Sequence, residues 1–169
     1  MTGVISTFLD RPGVAGAFGA LMDEYARAAE DFCRTLAALP PGALDWTQAS
    51  ADPSTVSVRA VCAHVCGAAR GYSNNIRKAR GLPHDQKRVP IDPKEILTAD
   101  DVRRRLADAL RYTEGALEGF YDADEATVTA LRFEVPWGVT YDPEMMLEHA
   151  IVHILRHRRQ LERWPRPTR

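Results

Sequence analysis

The chain has 169 residues, 45% hydrophobic and 27% charged, which suits a single folded domain over residues 1–169 with room for a sizeable core. Its formal net charge of −1 leaves no electrostatic footprint for nucleic acid or an anionic membrane surface. No run of apolar residues is long enough for a membrane-spanning helix, and Met1–Asp10 lacks the basic start and apolar stretch of a signal peptide.

Four helical stretches follow one another. The first covers Val14 to Leu39, where Phe18, Leu21, Met22, Tyr25, Ala29, Phe32, Leu36 and Leu39 recur at three- and four-residue steps before Pro40-Pro41-Gly42. The second covers Ser57 to Arg80, with Ser54 or Ser57 as cap, an apolar stripe of Val58, Val61, Val65, Ala69, Tyr72 and Ile76, and Gly81-Leu82-Pro83 as its stop. A long connection from Gly81 to Leu97, carrying Pro83, Pro90 and Pro93, is suited to crossing the end of a helical bundle.

The third stretch covers Ala99 to Tyr121, with Thr98 and Asp101 spaced as a capping box and Leu106, Leu110, Thr113, Leu117 and Phe120 on its buried side. Asp108, Glu114 and Glu118 read as its solvated face. The alternating, β-branched segment from Thr127 to Tyr141 predicts a short hairpin or an extended lid. The fourth helix covers Pro143 to Trp164, with Asp142 as N-cap and Pro143 at the first helical position. Arg163 to Arg169 read as a helix end and a loose terminus. The fold class is therefore all-α, a four-helix bundle with a long crossover between its second and third helices.

The cysteines, Cys33, Cys62 and Cys66, are odd in number, which argues against a disulfide framework and predicts a reducing, cytoplasmic setting.

The sharpest chemical signal is a ladder of histidines in the fourth helix: His149, His153 and His157. Four residues advance a helix by about 400°, so these rings stand nearly above one another on one face. They share that face with Met146, Ala150, Leu161 and Trp164, so burial demands partners for the rings or a metal ion. An i, i+4 pair of imidazoles is a recurrent divalent-metal grip. His64 in the second helix is flanked on its own face by Ala60, Gly67, Ala68 and Gly71, small residues that leave room for an ion and part of a substrate.

A second donor set competes. Cys62 and Cys66 with His153 and His157 make a closed tetrahedral zinc site in principle. Each cysteine is two residues, about 200° of helix, from His64, so His64 and the cysteine pair cannot serve the same ion. Spacing leaves both sets open.

The run His149-Ala150-Ile151-Val152-His153-Ile154-Leu155-Arg156-His157-Arg158-Arg159-Gln160-Leu161 resembles the last-helix signature of the DinB/YfiT-like family of metalloenzymes. Ser57 to Val65, with His64 inside it and Trp46 ahead of it, resembles the family's earlier element. The resemblance implies a four-helix bundle and a divalent ion, nickel or zinc, held by His64, His153 and His157. It leaves His149 as a substrate contact or second-layer residue. Gln160, which matches the motif's glutamine, is then placed to hydrogen-bond a ligand ring, and Arg158 matches its arginine. Arg159 replaces the usual glycine.

The implied activity is transfer of a low-molecular-weight thiol to a small-molecule substrate, with His149 and Gln160 as catalytic candidates and a homodimer as the candidate assembly. The alternatives are a metal-dependent hydrolase and a non-enzymatic, metal-stabilised helical bundle serving as scaffold or dimer.

Overall fold

The computed structural model describes residues 7–87 and 90–165. The readings of the first six residues and of the tail from Arg166 onward lie outside the described residues. The fold is all-α, with four long helices: α1 (Ala17–Ala37), α2 (Val58–Ala79), α3 (Ala99–Leu117) and, after the short α4 (Glu125–Ala130), α5 (Pro143–Glu162). Two-residue strands β1 (Phe133–Glu134) and β2 (Thr140–Tyr141) form an antiparallel ladder in the α4–α5 connection. Helix α1 packs on α3 and α5, and α2 packs on the same two helices. Among the described residues no helix is long and apolar enough to cross a membrane.

The caps follow sequence chemistry. The Ser57 hydroxyl accepts the Ala60 N–H at 3.0 Å and opens α2. Thr98 and Asp101 form the expected reciprocal box at the start of α3. Asp142 accepts the Met145 N–H at 2.9 Å, with Pro143 behind it in the first turn of α5. The predicted stripes converge on one core, in which Phe18, Met22, Tyr25 and Phe32 of α1 meet Val61 and Ile76 of α2, Leu106 and Leu110 of α3, and Met146 and Ile154 of α5.

Three expectations need correction. Helix α3 stops at Leu117 rather than Tyr121, because the chain turns extended at Glu118 and Gly119 takes φ +68°, open to glycine alone without strain. Phe120 stays buried beyond the turn and tilts against Phe18 with ring centroids 5.2 Å apart, so the apolar pattern outruns the helix. The segment read as a hairpin begins as helix α4, because Asp124 accepts the Thr127 N–H at 2.8 Å and nucleates a turn despite the β-branched residues. Only its second half forms the β1–β2 hairpin.

Glu114, assigned to the solvated face, is buried. Its carboxylate accepts the backbone N–H groups of Asp10 at 2.8 Å and Arg11 at 2.9 Å, fastening the segment before α1 onto α3.

Candidate metal centre

Helices α2 and α5 pack against each other and carry the ligand candidates on facing sides. His64 Nε2 lies 3.0 Å from His153 Nε2. The His157 ring centroid is 5.0 Å from that of His64 and 4.6 Å from that of His153. One ring nitrogen from each of the three lies within 4.8 Å of the others. Metal–nitrogen bonds of about 2.0–2.1 Å in a tetrahedral arrangement set neighbouring donors about 3.3 Å apart, so the trio fits one divalent ion with minor adjustment.

Local chemistry prepares the rings. The buried His157 donates from Nδ1 to Oε1 of Gln160 at 2.9 Å, which leaves Nε2 as its lone-pair nitrogen. Burial, with the nearby His157 and His64 second, pushes the His153 imidazole down to about 3. Burial also lowers His157, against the opposing pull of Gln160, and lowers His149. Rings held neutral at neutral pH are the form that ligates metals. Among the described residues the buried Nδ1 of His153 has no hydrogen-bond partner.

His149 stands apart from the trio, one helical turn before His153. Its ring stacks on Trp137 with centroids 5.0 Å apart and planes at 22°, and Tyr141 Oη lies 3.3 Å from its Nδ1. Arg158 pairs with Asp31 and Glu162, each at 3.3 Å. Arg159 points into solvent, so the loss of the usual glycine meets no packing conflict there.

The cysteine alternative does not assemble. Cys62 and Cys66 are buried in the core, and Cys66 Sγ donates to the Val102 carbonyl of α3 at 3.8 Å. Burial pushes the Cys66 thiol up to about 12 and Cys62 well above its ordinary value. Neither joins the histidine group. The cause is the 200° offset: α2 turns His64 toward α5, while Cys66 faces Val102 of α3.

A cavity of about 480 Å³ opens beside the trio, with His64 and His149 in its wall. Its other walls include Tyr72, Asn75 and Lys78 from α2, His84 from the α2–α3 connection and Trp137 from the β1–β2 hairpin. Sequence reasoning missed all of these as site residues. For the α2 members a signal existed, because His64, Ala68, Gly71, Asn75 and Lys78 advance by three or four and continue one face. Trp137 and His84 carried none. Trp137 is aimed by a turn in which the Gly138 N–H bonds the Val135 carbonyl at 2.9 Å with Gly138 at φ +80°. His84 is set by its Nδ1 donating to the Leu82 carbonyl at 2.9 Å.

The sequence model of the DinB family matches residues 15–166, nearly the whole chain. No curated protein matches it.

Proposed function

The chain belongs to the DinB family, and on that premise we propose that it is a metal-dependent enzyme in which His64, His153 and His157 hold one divalent ion and a low-molecular-weight thiol is transferred to a small electrophile. The carrying observation is that His64 belongs both to the imidazole trio and to the wall of the 480 Å³ cavity. A trio open to a cavity suits a centre that meets ligands, whereas structural metal sites are closed by a fourth protein ligand. Three neutral imidazoles suit zinc or nickel. The same reading takes the four long helices as the family's bundle, residues 80–98 as its crossover and the chain as one domain.

When bound, a divalent ion supplies the positive charge that favours the deprotonated form of a thiol, or of a water in a hydrolytic variant. The chain's own residues set up the rest. Gln160 holds the His157 ring in the tautomer that presents Nε2. Tyr72 meets the His153 ring edge-on and Trp137 meets Tyr72, so the cavity beside the trio has an aromatic wall. His149, neutral and held by Tyr141 at Nδ1, offers its Nε2 to the proton leaving the thiol sulfur; that sulfur bonds to the electrophilic carbon, whose leaving group departs with its bonding pair, as chloride does from chlorodinitrobenzene.

The test is conjugation of chlorodinitrobenzene with cysteine, glutathione, coenzyme A, bacillithiol and mycothiol in turn, by zinc- or nickel-loaded protein. The reading predicts a metal-dependent rate with at least one thiol, abolished by His157→Ala. No metal-dependent turnover with any of them would remove the thiol-transfer reading.

A further inference from the structure

The cavity's wall on α2 is graded along its length. His64 comes first, Ala68 and Gly71 form a small-residue floor, Tyr72 stands at its side, and Asn75 and Lys78 close the far end. From His64 to Lys78 the helix rises about 21 Å, so a ligand meeting both ends is elongated. The side chains of Asn75 and Lys78 are three residues apart and face the same way. Among the described residues the Asn75 side chain makes one weak bond, from Nδ2 to Met146 Sδ at 3.8 Å, which leaves most of its amide available.

The charges in this cavity are unequal in their commitments. Asp85 is taken up by Arg70 at 2.8 Å and by Asn74 at 3.2 Å. Lys78 is exposed and, among the described residues, has no ion pair, though Glu134 lines a neighbouring depression with it. Midway, Trp137 is 45% exposed although it stacks on His149, so much of the indole remains uncovered at the cavity. Tyr72 meets the same indole edge-on, with centroids 6.3 Å apart.

We propose that the small molecule taken by this cavity is an elongated, planar aromatic carboxylate, with its ring system against Trp137, its carboxylate at Lys78 and Asn75, and its reactive end at the histidine trio. The aromatic wall supplies stacking without hydrogen-bond demands. This end brings together the Lys78 ammonium and the Asn75 amide, a point charge and a donor that match a carboxylate; a phosphate is better served by a helix N-terminus, whereas this end lies at the C-terminal turn of α2. The assignment rests on the histidine centre being the reactive end, and it names the class of substrate presented there.

Isothermal titration of metal-free and zinc-loaded protein with stilbene carboxylate, and with the neutral stilbene carboxamide, tests it separately from the metal. The carboxylate should bind at least fivefold tighter than the carboxamide. Lys78→Gln should erase that preference, Lys78→Arg should restore it, and Trp137→Ala should weaken both ligands about tenfold with the helical circular dichroism unchanged. Equal affinity for the two ligands, or a preference that survives Lys78→Gln, would overturn the assignment. Carboxylate selectivity in a protein that holds no metal would support the cavity assignment and count against the metal centre alone; a loaded metal centre with no aromatic binding would do the reverse.

Discussion

The Nδ1 atom of His157 and the Oε1 atom of Gln160 lie 2.9 Å apart, one turn of α5 from each other, with the imidazole donating. That bond orients the ring and leaves Nε2 to face His64 and His153. A ligand ring fixed in this way binds its ion more tightly than one free to rotate, by about 10–100-fold in comparable sites. Gln160→Leu should therefore lower zinc affinity by about that factor while the helix content stays at the wild-type level. Chelator competition measures it, and Gln160→Glu should recover most of the loss. An unchanged affinity in Gln160→Leu would mean the bond is incidental.

The depressed imidazoles predict how the metal-free protein responds to acid. Burial holds His153 down to about 3 and lowers His157 and His149, whereas an unfolded chain titrates histidine near 6.5. Above about 6.5 both states are neutral and the contribution is fully present. As the pH falls from there toward 3, the unfolded state binds protons that His153 in the folded state refuses, so stability declines. Thermal melts of chelated protein should show a flat Tm above pH 7 and a fall below pH 6.5 that is shallower in His153→Asn. Identical slopes in the two proteins would refute the burial argument.

Metal should stabilise the fold without being required for it. The core formed by Phe32, Val61, Leu110, Met146 and their neighbours is complete without the histidines, and a ligand at a thousand times its Kd adds about 4 kcal/mol. Chelation should lower Tm by several degrees and leave the far-ultraviolet dichroism intact. Complete loss of helix on chelation would contradict this.

Glu114 should matter well beyond its appearance in the sequence. Removing a carboxylate that satisfies the Asp10 and Arg11 N–H groups leaves those donors stranded, at a cost of about 1–3 kcal/mol. Glu114→Ala should lower the urea midpoint accordingly, with the slope unchanged, and expose the segment before α1 to limited proteolysis. A midpoint within error of wild type would show that water replaces the carboxylate freely.

The legible and illegible parts of this protein divide along a physical line. The long helices and the trio were readable because periodicity and capping are local: His153 and His157 share a face by spacing alone, and Ser57, Thr98 and Asp142 mark helix starts by their own side chains. Glu114 was misread because its partners lie 103 and 104 residues away in sequence. Helix α4 was misread because one cap at Asp124 outweighs the β preference of Thr127, Val128 and Thr129. Trp137 and His84 join the cavity through loops whose course depends on tertiary contacts. Spacing left the cysteine and histidine donor sets both open; the fold brings His64 together with His153 and His157 and buries Cys66 against Val102.

The most direct test of the account is metal stoichiometry after zinc loading and exhaustive dialysis, compared across wild type, His64→Ala, His153→Ala, His157→Ala and His149→Ala. If His64, His153 and His157 hold the ion, wild type and His149→Ala retain one zinc per chain and the other three variants lose it while remaining helical. One zinc per chain retained by His157→Ala, or lost as completely from His149→Ala, would contradict the assignment.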